Sequence, residues 1–296
     1  MSGTPTAAKF PVLFVNLART WGGGQQWHLA MAQALAEREW PVELLVWPES
    51  PLAQRAAALR LPVWPMPLRS SSWLVPGRMG RLRLGLEMRR TRAVILDGSH
   101  EFKTAGVMAH RLGIPKVILR RGIPQPLSPG WLNRWLLGNV ATRLIGNSQA
   151  TIDAMAAGHP QFMDRLRPRV IYNGVDPSGW QPPAGRQPTG RIAVVGRLEW
   201  EKGVDRAIQA LHLLRLRMGH ATLRIIGDGS QRQNLEALTK ELGLTEAVEF
   251  TGQSRDVKRL LADCDLLVLP SRWEGFGFVL VEAMLLELPT VAFDLP

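Results

Sequence analysis

The sequence predicts an α/β protein of two Rossmann-like domains, each a parallel sheet covered by helices. Three observations carry this. Short apolar, β-prone runs alternate with helical patterns along nearly the whole chain, as expected of parallel strands joined by crossover helices. A stretch rich in proline, glycine and polar residues, DPSGWQPPAGRQPTGR from Asp176 to Arg191, divides two such series and reads as an interdomain linker. At 296 residues the chain is long enough for two domains that each bury a core. The predicted boundaries are 1–177 for the first domain, 178–190 for the linker and 191–296 for the second.

Taken in order, Phe10 to Leu17 is an apolar strand that leads through the glycine-rich turn ARTWGGG into a helix from Gln25 to Glu37. Further strands are predicted at Val42–Trp47, Val63–Met66, Ala93–Asp97, Val117–Leu119, Arg143–Gly146 and Val170–Tyr172. The second series begins at Ile192–Val195 and continues with strands at Thr222–Ile226, Val248–Phe250, Leu266–Leu269 and Thr290–Phe293. Its helices are predicted at Gly203–Met218, Ser230–Leu242, Asp256–Ala262 and Phe278–Leu288. In the last, Val281, Met284, Leu285 and Leu288 have core-facing spacing. The chain stops just after a strand, where a doubly wound domain continues into another helix, so the second domain is expected to be incomplete.

An apolar content of 46% with 21% charged residues excludes a disordered chain. The single cysteine, Cys264, excludes an intramolecular disulfide and fits a reducing compartment. The N-terminus lacks the pattern of a secretory signal, and no run is apolar enough to span a membrane. Charge is uneven: residues 1–180 hold 22 Lys and Arg against 10 Asp and Glu, and the remainder 14 against 15. Between Arg69 and Arg92 seven arginines face one acid, Glu87, and are interleaved with Trp73, Leu74, Met79, Leu82, Leu84, Leu86 and Met88. That composition suits a surface lying on anionic lipid, and it suits equally a basic solvated helix.

The chemistry collects around PSRWEGFGFVLVEAM, Pro270 to Met284. A strand, a glycine turn and a helix start place unpaired backbone N–H groups at one point, with the positive end of the helix dipole behind them. Such a corner attracts phosphate, and Gly275 and Gly277 let an anion approach the backbone. Glu274 in the loop and Glu282 in the helix can accept hydrogen bonds from hydroxyls, though E-x7-E alone also fits two solvated surface acids. After the first strand of this domain, GRLEWEKG sets Arg197 and Lys202 in one strand-end loop. Fork and point charge together suit a diphosphate; ion pairs with Glu199 and Glu201 are the alternative. In two-domain α/β proteins ligands bind at the carboxyl ends of strands, in the crevice between the halves. Gly22, Gly23 and Gly24 form the corresponding glycine turn of the first domain.

GRLEWEKGVDRAIQAL, RIIGDGSQRQNLEALTKELGL, VEFTGQ and PSRWEGFGFVLVEAM resemble, in order and spacing, the donor domain of retaining glycosyltransferases of family 4, which have the two-domain GT-B fold. NSQATIDAM, VIYNGVD and WGGGQQWHLAMAQAL resemble the family's first domain, so the likeness spans nearly the whole chain. It implies two Rossmann-like domains facing each other across a cleft. It assigns Arg197 and Lys202 to the donor diphosphate, Glu282 to the ribose hydroxyls and Glu274 to the transferred sugar near the reacting centre. Backbone groups of Gly275, Phe276, Gly277 and Phe278 face the phosphates or sugar, Gly22 to Gly24 line the other side, and His100 matches a family histidine near the sugar. Where many relatives have a histidine before glycine, this chain has Arg120-Arg121-Gly122.

The resemblance implies transfer of a sugar, with retention, from a nucleotide-sugar donor to a saccharide or lipid-linked acceptor. Cell-envelope polysaccharide or lipopolysaccharide synthesis is the expected setting, at a cytoplasmic location peripheral to the inner membrane face. No D-x-D pair closes a strand, so no metal or other cofactor is expected, and no nucleic-acid module is recognisable. The rival expectation is a truncated, non-catalytic remnant that binds nucleotide sugar without turnover.

Overall fold

The computed structural model describes residues 8–182, 185, 187–254 and 256–295, so the predicted linker is described only in part. The chain divides into two compact units, 1–173 and 174–296. The first holds a seven-stranded sheet: β1 (Val12–Asn16), β2 (Val42–Val46), β3 (Val63–Pro65), β4 (Ala93–Leu96), β5 (Lys116–Arg121), β6 (Arg143–Gly146) and β7 (Arg169–Val170). Their spatial order is β3-β2-β1-β4-β5-β6-β7. The second unit holds β8 (Arg191–Val195), β9 (Thr222–Ile226), β10 (Val248–Gly252), β11 (Leu266–Leu269) and β12 (Thr290–Ala292). These run in the order β10-β9-β8-β11-β12. Among the described residues these strands pair in parallel, and one isolated antiparallel bridge joins Gly227 to Gly252.

The two sheets share one winding rule: the chain builds outward from its first strand on one side, then crosses back to build the other. The reversal lies between β1 and β4 in the first unit and between β8 and β11 in the second. Loops leaving the carboxyl ends of the two central strands diverge there, one to each face, and leave a crevice.

Burial explains why the strands are continuous apolar runs rather than alternating ones. All five residues of β1 are buried. Leu13 and Val15 enter one core layer with Leu96, Phe102 and Leu119, while Val12 and Phe14 enter the other with Trp27, Leu44 and Leu52. In the second unit Val194 packs with Ile208, Leu211 and Leu235, and Ala193 on the opposite face with Leu261, Val279 and Ala283. A parallel sheet covered on both faces needs this two-sided hydrophobicity. Cys264, beside β11, is fully buried and donates to the Leu260 carbonyl at 3.2 Å. Burial pushes its thiol up to about 11.

Three departures from expectation go beyond shifted ends. The first helix spans Gly23–Glu37, with Gly22 as its N-cap in extended conformation, so two of the three glycines form its opening turn instead of a loop. The basic stretch divides into a 3₁₀ turn, Ser70–Leu74, and a helix, Pro76–Met88, whose proline occupies the first turn, where its missing N–H costs nothing. Met79, Leu82 and Leu86 of that helix are buried, while Leu84 and Met88 are exposed beside Arg81 and Arg83. Last, the helix Phe278–Leu285 buries Val279 and Ala283, whereas Met284 is 64% exposed. Its near-uniform apolar sequence gives periodicity little to choose between. Glu287 then takes a left-handed conformation, φ 52°, which ends the helix before the predicted Leu288. Among the described residues no helix is long and apolar enough to cross a membrane.

Candidate functional site

In the second unit the crevice is shaped by backbone packing on backbone. After β8 the chain passes Gly196, Arg197 and Leu198 into a 3₁₀ turn, Trp200–Lys202, and Gly203 at φ 62° then leads into the helix Val204–Arg215. A Cβ on Gly203 would lie 2.0 Å from the Pro270 carbonyl oxygen. Only glycine therefore allows the two strand-end loops to close on each other. Leu198 is fully buried and donates its N–H to the Asp228 carbonyl at 2.9 Å, which ties in the loop after β9.

Within this frame Lys202 and Glu274 meet. The ammonium donates to Glu274 Oε2 at 2.6 Å, and the two side chains are only 19% and 20% exposed. Ser271 Oγ donates to the same oxygen at 3.2 Å, and the Gly275 N–H to Oε1 at 3.3 Å. A part-buried ion pair with two supporting hydrogen bonds is held far more firmly than a surface pair. Arg197 is placed differently: it pairs with Glu201 at 3.0 Å across one turn and is 51% exposed. The predicted clamp is thus split, with Lys202 on Glu274 and Arg197 on Glu201.

Gly277, at φ 73°, is the N-cap of the helix Phe278–Leu285, and no side chain caps that end. The Leu280 N–H donates to the Gly277 carbonyl at 2.9 Å, which leaves the positive end of the dipole at the N–H groups of Phe278 and Val279. Phe276 and Phe278 meet edge to face, with centroids 5.2 Å apart. Glu282 lies in the second turn of this helix and is half-buried. Arg272, which sequence reasoning passed over, binds Asp205 through two nitrogens at 2.9 and 2.7 Å and the Trp200 carbonyl at 2.7 Å.

In the first unit the crevice gathers polar side chains from three neighbouring strand ends. Asn16, closing β1, accepts from Gln25 Nε2 at 3.0 Å and from the Ala18 N–H at 3.2 Å. Beyond β4, Asp97 pairs with Arg120 of β5 at 2.7 Å, and Arg120 also stacks on Trp27, 4.9 Å from the ring centroid. Glu101 accepts from the Leu17 N–H at 2.8 Å. The buried His28 has its Nδ1 3.0 Å from the Gly24 carbonyl. Gly24 is required here, since a Cβ on it would lie 2.3 Å from Asp97 Oδ2.

Burial sets the electrostatics. It raises the Glu101 carboxyl above its ordinary value, with the Leu17 N–H opposing, and lowers the His28 imidazole, with Asp97 opposing. Burial also lowers Arg121, whose Nη2 donates to the Gln125 carbonyl at 3.0 Å. His100 is exposed in the first turn of the helical stretch 99–111, with Nδ1 2.6 Å from Ser70 Oγ.

Asn16, His28, Asp97 and Glu101 were not singled out by sequence. The available signal was a polar residue closing each apolar strand run: Asn16 after VLFV, Asp97 after AVIL, Arg120 after VIL. Among the described residues no group of three or more His, Cys, Asp or Glu is placed to hold a metal ion.

Two family models match the chain: Glycosyltransferase Family 4 over residues 21–178 and Glycosyl transferases group 1 over residues 184–296. The glycogen synthase of Mycobacterium tuberculosis is 33% identical over 178 residues, 56% of this chain and 43% of that protein. The chain thus spans less than half the length of this curated relative. The lipopolysaccharide glucosyltransferase WaaG of Escherichia coli is 39% identical over 90 residues, 30% of this chain and 24% of that one. The crystal structure of Anabaena Alr3699/HepE in complex with UDP and glucose matches with a TM-score of 0.80 at 21% identity, over 97% of this chain and 81% of that one. That likeness establishes the shared fold.

Proposed function

The chain belongs to Glycosyltransferase Family 4, and from that premise we propose that it moves a sugar from a nucleotide-sugar donor to a saccharide or lipid-linked acceptor, retaining the anomeric configuration. The observation that carries this is the Lys202–Glu274 pair, 2.6 Å apart at the strand-reversal point of the second unit, next to a helix start without a side-chain cap. A cation, a carboxylate and the positive end of a helix dipole suit a sugar diphosphate. In this reading Lys202 and Arg197 take the diphosphate, Glu282 the ribose hydroxyls and Glu274 the transferred sugar. The backbone from Gly275 to Phe278 faces the phosphates or sugar, with the Gly275 N–H engaged by Glu274 Oε1 at 3.3 Å. For the first unit taken by itself, Gly22 to Gly24 and His100 are the ligand contacts that the family resemblance suggests.

Departure of the nucleoside diphosphate leaves an oxocarbenium-like sugar; the acceptor hydroxyl bonds to its anomeric carbon from the face the diphosphate leaves, and its proton passes to the departing diphosphate oxygen. Fixed positive charge at the leaving group lowers that barrier by roughly 3–4 kcal/mol per well-placed donor. Neither a protein nucleophile nor a metal enters this scheme.

For the acceptor, the excess of 22 Lys and Arg over 10 Asp and Glu in residues 1–180 favours an anionic partner. We place the reaction in lipopolysaccharide or other envelope polysaccharide synthesis, at the cytoplasmic face of a membrane. The likeness to WaaG supports that setting, and the structural neighbour with UDP and glucose supports a nucleotide-sugar donor. The test is nucleoside diphosphate release from a panel of UDP-, GDP- and ADP-sugars, with the product anomer read by NMR. Turnover with one donor and an unchanged anomer is the expected result. No release from any donor, or an inverted product, overturns the proposal.

A further inference from the structure

Arg272 lies two residues before Glu274, and Asp205 three residues after Lys202, so these two flank the site on the same pair of loops that carry it. Arg272 uses both terminal nitrogens and the face of its guanidinium. Nη1 donates to the Trp200 carbonyl at 2.7 Å and to Asp205 Oδ1 at 2.9 Å, Nη2 donates to Asp205 Oδ2 at 2.7 Å, and the plane lies 4.5 Å from the Trp200 ring centroid. The Arg272 backbone N–H adds a bond to the Glu201 carbonyl at 2.8 Å. Trp200 in turn meets Trp273, with centroids 5.2 Å apart. The 3₁₀ turn that aims Lys202 is therefore gripped at Trp200, at Glu201 and, through Asp205, at the start of the following helix. All of these contacts come from the loop that carries Glu274. A planar five-donor fork can make this set of contacts; an ammonium cannot.

We infer that Arg272, with Asp205, is a positioning residue: its fork fixes the separation and aim of Lys202 and Glu274 and so sets the rate of the transfer step. The inference rests on the second unit being the nucleotide-sugar site. The pair touches no reacting atom in this scheme, and its contribution is geometric. A misplacement of about 1 Å in such a site can cost up to about a hundredfold in rate.

The experiment is a double-mutant cycle on the full chain, using Arg272→Ala and Asp205→Asn, with Arg272→Lys as the charge-preserving control. Steady-state kinetics with the donor that wild type uses are run alongside thermal midpoints, at a temperature where every variant is folded. Expected are losses in kcat of about tenfold to a hundredfold for each single variant, donor KM changed less than threefold, and no further loss in the double variant, because the two residues act as one unit. Arg272→Lys should regain little of the lost rate, since it cannot bridge both Asp205 oxygens and the Trp200 carbonyl. The inference is overturned if wild type turns over while Arg272→Ala keeps kcat within twofold, if the losses multiply, or if Arg272→Lys restores the rate. A lowered thermal midpoint with unchanged kcat also overturns it, by showing a purely structural role. A wild-type chain silent on every donor instead removes the functional reading on which the inference rests.

Discussion

At the scale of single residues, Lys202 and Glu274 neutralise each other in a part-buried corner, so removing the cation changes charge as well as reach. Lys202→Ala should lower kcat by about 10²–10³, with the fold preserved. Glu282→Ala should act on binding, raising the donor Kd roughly tenfold or more through lost ribose hydrogen bonds. Calorimetric titration with the nucleoside diphosphate and steady-state kinetics separate the two effects; wild-type values in both variants would refute the assignments. Glu101 gives a pH prediction. Burial raises its folded pKa above the unfolded value, so between those two values the unfolded chain releases a proton that the folded chain keeps. Glu101 therefore destabilises the fold increasingly as pH rises from about 4.5 toward its folded pKa. Glu101→Gln, which keeps an acceptor for the Leu17 N–H, should show a thermal midpoint that gains on wild type across that window and is level with it at lower pH. A constant difference would contradict the cause given.

At the scale of elements, the helix Gly23–Glu37 begins with two poor helix formers, and the second, Gly24, has a steric reason. Alanine at position 24 would gain helix propensity but meet Asp97 Oδ2 at 2.3 Å, on a carboxylate whose other oxygen, Oδ1, is held by Arg120. Gly24→Ala should therefore destabilise by roughly 1–3 kcal/mol. Gly80→Ala, in the helix Pro76–Met88 with nothing within 4 Å, should stabilise by about 0.5–1 kcal/mol. Denaturant titration of both gives the signs, and equal signs would refute the argument. The pair also shows which parts of the fold were legible. Strands buried on both faces announced themselves as apolar runs, and β8, β9 and β11 fall within a residue or so of expectation. Helix phase and helix starts were not legible where the information is tertiary. The burial of Val279 and Ala283 in place of Met284 is decided by the sheet beneath, and the glycine at position 24 by a carboxylate 73 residues later in the chain. At the candidate site the glycine turns, Lys202 and Glu274 stood out as local motifs, while the contact between Lys202 and Glu274, 72 positions apart, came only with folding. Arg272 with Asp205, and Arg120 with Asp97, were not, because each is an ordinary charged residue until folding supplies its partner 67 or 23 positions away.

At the scale of the whole molecule, charge and composition divide along the chain much as the two units do. The basic excess belongs to residues 1–180, and there the Pro76–Met88 helix turns Arg81, Arg83, Leu84 and Met88 outward. Cosedimentation with vesicles containing anionic lipid should retain the protein at low salt and release it as ionic strength passes about 0.15 M. Equal retention on neutral vesicles would remove the electrostatic account. The sulfur of Cys264 has a consequence of another kind. Being the only thiol in the chain, fully buried, and protonated up to about 11, it leaves the folded protein silent toward maleimides at neutral pH. Any cysteine introduced on the surface, at Arg197 or Trp131 for example, becomes the sole target for a dye or spin label. Native Cys264 then reports unfolding, by becoming reactive only when the second unit opens.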